Sequence, residues 1–221
     1  GNTIAFAGYG CISFTGTDYE LVGNILSPGC PSTCYSVGDP RGFRADWNLL
    51  YKPPGLGGPF TAFARNWPRD FQGHRKVSGQ DAHSICADPQ FLNAPVAAAQ
   101  IDNRRLLECT TRKLFVRGAE AFKVGDIVEV RFDGVPRRVA AVGRDFIVIA
   151  PPLAEPLEKA GLVLNWKDKR DFALDLRTAP TSPARGAGPR GTDIGAKLDI
   201  QAFTRGDTDG DGKPDIRRAG K

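Results

Sequence analysis

NTIAFAGYGCISF (residues 2–14), YELVGNILSPGCPSTCYSV (19–37) and GFRADWNLLYKPPG (42–55) are loose variants of one unit. Each gives a short apolar run, a polar turn and another short run. Asn2, Asn24 and Asn48 head the runs NTIAF, NIL and NLLY. A recurrence of this length, with Asn at the turn, is the pattern of a stacked solenoid. Asn tolerates the left-handed backbone, and its amide can bond along a stack of like turns. Asn is also common in ordinary turns; recurrence of the whole unit favours the stack. This reading places Ile4, Phe6, Ile12, Phe14, Leu21, Val22, Ile25 and Leu26 in the solenoid core.

Further along, residues 53–80 are irregular, with Gly and Pro first and aromatics beside Arg after. His74 in QGHRK is expected on the surface. Residues 81–93, DAHSICADPQFLN, form a compact polar–apolar segment. From residue 94 to 170 the pattern changes to clean alternation, with turn signals at VGD, DGV and GRD. A period of two means antiparallel strands with one face buried. FDGV suits a tight hairpin, and LVLNW reads as a closing strand. Five or six strands in this length suit a small barrel or β-sandwich, inserted into the solenoid or packed on it. Residues 171–200 are extended and rich in Pro and Gly. The tail, 201–221, is acidic and then basic.

The chain has 221 residues, enough to bury a core, and a formal charge of +5. Basic and acidic residues are interleaved. A nucleic-acid binder usually gathers its charge into a patch, so no nucleic acid is expected as a partner. A mixed solvated surface is the plain reading, and attraction to uronate-rich glycans is the functional one. No run of about 18 apolar residues provides a membrane span. No signal peptide is visible; a mature or proteolysed chain would look the same, so this does not argue for the cytoplasm. Of 5 cysteines, Cys30 and Cys34 share the loop PGCPSTCYS. They can close a small disulfide, as suits an oxidising compartment, or remain buried thiols, or form half of a zinc site. His74 and His83 are poorly spaced for the zinc reading.

GQDAHSICADPQF (residues 79–91), and later DFALDLRTAPTSPARGAGPRGTDIGA (171–196), resemble the closing segments of secreted right-handed parallel β-helix proteins, the pectate-lyase-like superfamily. FRADWNLLY (43–51) resembles one of their rungs. The likeness covers residues 1–93 and 171–196. It implies an all-β chain: a few right-handed parallel β-helix rungs with flanking loops in residues 1–93, belonging to the C-terminal part of such a coil. A small antiparallel β-barrel or sandwich domain follows in 94–170, an extended return segment packs on the solenoid in 171–200, and the tail closes the chain. It also implies a secreted or cell-surface location. The family holds polysaccharide lyases, glycoside hydrolases, adhesins and tailspikes, and fold alone does not choose among them. No acid/base constellation appears in this chain, so no catalytic residue is assigned and enzyme activity stays open.

Three constellations carry chemistry. In DTDGDGKPD, Asp207, Asp209, Asp211 and Asp215, with the Lys213 carbonyl, match the alternating offsets of a Ca2+ loop. Arg218 stands where an EF-hand has Glu, so the loop resembles the shorter ones of dockerin-like and thrombospondin-type repeats. The competing reading is a solvated acidic tail. Arg44, Trp47, Tyr51, Arg65 and Trp67 can form a glycan surface, since aromatic faces stack on pyranose rings and Arg grips uronates. Alternatively these aromatics, with Phe60, Phe63 and Phe71, plug the solenoid's flank. His83 can act as a base with Asp81 or Asp88, or serve packing alone. The expected function is a non-catalytic structural or glycan-binding module, with acidic polysaccharide or further copies of this or a related chain as partners, the copies joined end to end as an oligomer or filament. The alternative is a C-terminal portion of a lyase or hydrolase whose active site lies upstream.

Overall fold

The computed structural model describes residues 1–196. The Ca2+ candidates Asp207, Asp209, Asp211, Lys213 and Asp215 lie outside the described residues. The chain is all-β in class. It opens with β1 (Thr3–Ala5), β2 (Ile12–Phe14) and β3 (Glu20–Val22). A second series follows as β4 (Ile25–Ser27), β5 (Tyr35–Val37) and β6 (Arg44–Asp46), and a third begins with β7 (Leu49–Leu50) and β8 (Ala62–Phe63). Strands of the same rank pair in parallel, giving the sheets β1-β4-β7, β2-β5-β8 and β3-β6. Ile4 stands opposite Leu26, and Leu26 opposite Leu50. A parallel bridge between Leu49 and Ile85 adds a further step. Strands this short do not hold alone; each is kept by the turn stacked on it.

The interior of the stack is Leu21, Leu26, Tyr35, Val37, Phe43, Leu50, Phe60 and Phe63, with Ile4, Ile12 and Phe14 partly buried against it. Leu26 and Leu50 are fully buried, each worth roughly 1.5–3 kcal/mol of apolar transfer. Three of the expected core residues go elsewhere. Side chains alternate across a strand, so Leu26 points inward while Ile25 points out, under Ala184 and Ile194. Val22 lines a surface groove. Phe6 packs with Ala98, Leu164 and Trp166 at the junction with the next unit.

Residues 53–80 carry no periodic signal, yet they hold α1 (Phe71–Ser78). The Asp70 carboxylate caps its start by accepting from the Gly73 N–H at 2.7 Å, and Gly79 ends it in the left-handed region at φ 66. The expectation of an exposed His74 is overturned: α1 turns it into the stack, where it is fully buried.

After β9 (Phe91–Asn93) come β10 (Ala97–Ile101), β11 (Lys113–Arg117), β12 (Ile127–Val130), β13 (Arg137–Val142), β14 (Phe146–Ala150) and β15 (Leu162–Lys167). These six close into an antiparallel barrel in the order β10-β11-β14-β13-β12-β15. Ile101, Leu114, Val116, Val128, Val139, Ile147, Ile149 and Val163 fill it. The Ala98 N–H donates to the Gly29 carbonyl at 2.6 Å, tying the barrel to the stack. Finally β16 (Asp175–Thr178) pairs antiparallel with β9. The chain then returns over the first sheet: Ser182 Oγ donates to Pro89 O at 2.7 Å and the Gly195 N–H to Gly23 O at 2.8 Å.

Candidate functional site

The stack's polar spine lies beside its parallel sheets. Asn24 Oδ1 accepts from Asn2 N at 2.9 Å and Nδ2 at 3.1 Å. One turn on, Asn48 Oδ1 accepts from Asn24 N at 3.0 Å and Nδ2 at 3.1 Å. Asn48 N donates in turn to Ser84 Oγ at 2.8 Å, so Ser84 takes the place of a fourth Asn. The ladder ends on Asp81, which is 1% exposed. Its carboxylate accepts from Asn48 Nδ2 at 3.1 Å, Ser84 Oγ at 2.5 Å, Tyr35 Oη at 2.6 Å and His74 Nε2 at 2.9 Å. Because a carboxylate only accepts, the His74 proton lies on Nε2; Nδ1 meets Thr61 Oγ1 at 2.9 Å. Burial pushes the Asp81 carboxyl up, and hydrogen bonds from His74, Ser84, Tyr35 and Asn48 outweigh it, holding the group below the usual range. Burial, with the Asp81 charge, drives the Tyr35 phenol far upward.

On the outside of the same turn is an open groove of about 500 Å3. Strand alternation builds it. In the β3-β6 pair, Leu21 faces Ala45 on the inward side. Glu20 and Val22 on β3, and Arg44 and Asp46 on β6, line the groove. Ala45, whose side chain turns inward, Trp47, residues 79–82 and Pro189 complete it. Arg44 makes no ion pair among the described residues. At the rim, Asp46 Oδ2 accepts from His83 Nδ1 at 2.7 Å, and Asp46 Oδ1 from the backbone N–H of His83 at 2.7 Å and of Trp47 at 2.9 Å. The Trp47 and His83 rings stack at 4.5 Å and 8°. Trp47 takes a left-handed φ of 56 to do so. Burial raises the Asp46 carboxyl, but the His83 side-chain and backbone hydrogen bonds prevail and hold it low. With Nδ1 committed, Nε2 of the 58% exposed His83 side chain is left facing solvent.

The five residues read as one glycan surface are not brought together. Only Arg44 and Trp47 share the groove. Tyr51 lies in another cavity of about 210 Å3, hydrogen-bonded to Asp88; burial first, then that carboxylate, pushes its phenol up to about 12. Arg65 follows β8 in a tight turn closed by Phe63 N–H to Asn66 O at 2.9 Å, and Trp67 just beyond is 64% exposed. Phe60 and Phe63 are buried in the stack, as plugging requires. His83 pairs with Asp46, not with Asp81 or Asp88. The sequence carried a signal for this only in hindsight: Asp46 and Arg44 are two apart on a strand and so share a face.

The expected Cys30–Cys34 disulfide is not formed; both are free thiols. Cys30 packs with Phe6 and Trp166, and Cys34 with Tyr35 and Leu50, in separate clusters. Burial pushes the Cys30 thiol up to about 11 and Cys34 well above the ordinary value. Among the described residues no three His, Cys, Asp or Glu side chains cluster to hold a metal, and no helix is long and apolar enough to cross a membrane. No family model, curated protein or solved structure matches this chain.

Proposed function

We propose that this chain is an extracytoplasmic module of the right-handed parallel β-helix kind that binds acidic polysaccharide in the Arg44–Trp47 groove and performs no chemistry of its own. One observation carries the reading: a guanidinium without an ion pair among the described residues and an indole share one open groove on the outward face of β3 and β6. Arg presents a planar fork to a uronate carboxylate, and Trp an apolar face to a pyranose ring. The net charge of +5 adds a weak general attraction to such polymers. Retardation in gels containing alginate, pectin or chondroitin, with no retardation in neutral starch, is the expected result. Equal mobility in all of them rejects the reading.

The His83–Asp46 pair favours a second reading, part of a lyase. A His oriented by a carboxylate is built as a base, and Arg44 can neutralise a uronate. Under the favoured reading, incubation with these polymers produces no absorbance from unsaturated uronates; a rise that disappears in His83→Ala selects the lyase.

Two further proposals accompany the first. Asp207, Asp209, Asp211, Lys213 and Asp215 bind Ca2+ weakly, on the order of 10⁻⁴–10⁻³ M as in extracellular modules. The strands β1, β2 and β3 pair on one side only among the described residues, and a parallel edge of this kind is a template for a further rung, from preceding sequence or from a second copy. End-to-end association through it is expected to give a concentration-dependent sedimentation coefficient.

A further inference from the structure

We propose that the cleft between the first turn of the stack and the barrel is a second, independent sugar site that takes a uronate residue. The cleft holds about 410 Å3, within the roughly 300–1,000 Å3 usual for small-ligand sites. Two segments distant in sequence each bring an aromatic ring to it. Tyr9, in the β1–β2 loop, is 84% exposed, and Phe132, in the β12–β13 loop, is 53% exposed. A lone exposed ring needs no explanation. Two at one cleft offer apolar faces of the kind that pyranose rings stack on.

Donors stand between them. Gln100 lines the cleft and is 6% exposed. Its Oε1 accepts from Arg117, while Nε2 has no partner among the described residues. Among the described residues the buried side-chain nitrogen without a partner is Arg137 Nε, so Gln100 Nε2 keeps solvent contact, and the cleft that Gln100 lines supplies it. Gly8 lies beside it: a Cβ there would stand 3.6 Å from that nitrogen, in ordinary van der Waals contact. A second glycine shapes the other wall. A Cβ on Gly161 would come within 2.6 Å of Arg131 Cγ, so the arginine stem lies across the barrel only because residue 161 has no side chain. Arg131 and Phe132 hold left-handed φ values of 56 and 59, which neither residue favours. The Arg131 N–H to Leu162 O bond at 2.8 Å keeps the loop in place.

The charge selects the ligand. Arg131 lines the cleft and no carboxylate does. A guanidinium and an amide N–H₂ aimed at one space call for an oxygen anion, and flanking aromatic faces call for a ring. A uronic acid residue of an acidic polysaccharide supplies both. The site shares no residue with the Arg44 groove.

The test is an amide NMR titration of the full chain with a galacturonate trisaccharide and with neutral maltotriose. The uronate is expected to shift the amides of Gly8, Phe132 and Gly161, and maltotriose to leave them in place. Arg131→Gln is expected to weaken the response about tenfold, the loss of one charged hydrogen-bonding pair. Phe132→Ala should weaken it as well, and Arg44→Ala should leave it unchanged. A dispersed spectrum checks that each variant folds; should Phe132→Ala not fold, Arg131→Gln decides. Still amides at these three positions, or equal shifts with maltotriose, overturn the proposal. Failure of the groove reading is separate, because it is read at Ala45 and Ala82.

Discussion

Asn48 Nδ2 donates to Asp81 Oδ1 at 3.1 Å, joining the asparagine ladder of the stack to the buried carboxylate that ends it. Asn48 also donates to Leu21 O at 2.8 Å and accepts from two nitrogens of Asn24, and it is fully buried. Every polar atom of its amide is used. The segment DAHS is therefore the terminator of the ladder: Ser84 takes the last Asn N–H, and Asp81 takes the last amide.

Asn48→Ala orphans at least two buried groups, at about 1–3 kcal/mol each, so a loss of about 2–6 kcal/mol is expected in urea unfolding. Asn2→Ala, at the exposed end of the ladder, should cost under about 1 kcal/mol because Asn24 Oδ1 keeps its bond from the Asn2 backbone. A loss at Asn48 no larger than that at Asn2 would show that the buried bonds of the ladder do not add to stability.

Acid should unfold the stack through Asp81. Its carboxyl is held below the ordinary value in the folded chain. A depressed folded pKa contributes stability fully present above the unfolded value, about 3.9, and lost as pH falls through the folded value. Asp81→Asn should lower stability at pH 7 and flatten its dependence below about pH 4. A variant with the wild-type slope would remove Asp81 from this role.

The cysteines give a count. Denatured without reductant, the chain should titrate all 5 thiols; three, with Cys30 and Cys34 the unlabelled pair in a peptide map, would reveal a Cys30–Cys34 bridge. In the native state the exposed Cys86 should react first. Cys30 and Cys34 should stay silent, since they are buried and their thiols are pushed away from the reactive thiolate.

Leu50→Ala empties a fully buried position between turns and should cost about 2–5 kcal/mol. Leu107→Ala, at a fully exposed position, should change stability by no more than about 0.5 kcal/mol. Thermal or denaturant midpoints separate the two.

The sequence showed its periodic parts well and its long-range parts poorly. Asn2, Asn24 and Asn48 recur once per turn, so their ladder could be anticipated from spacing. The alternation of FIVIA in β14 marked a strand with one buried face. Residues 53–80 hid α1 because a helix of 8 residues buries only His74 and needs no apolar stripe. The site was half visible. Arg44 and Trp47 stand out by residue type, but the His83–Asp46 pair spans 37 positions, and nothing local announces a contact made by stacking turns. Tyr51, Arg65 and Trp67 share chemistry with the groove residues but not position, and the fold puts them elsewhere. Apolar character alone turns both Ile25 and Leu26 inward, whereas neighbours on a strand face opposite ways.

The central claim is that the groove beside Trp47 holds an acidic glycan, and the Trp47 indole N–H resonance reports on it directly. Adding a galacturonate oligomer to the wild-type chain should move that resonance saturably, less at high salt as an exposed charge pair requires, and not in Arg44→Ala. A resonance that stays in place, or moves as far in Arg44→Ala as in the wild type, contradicts the account.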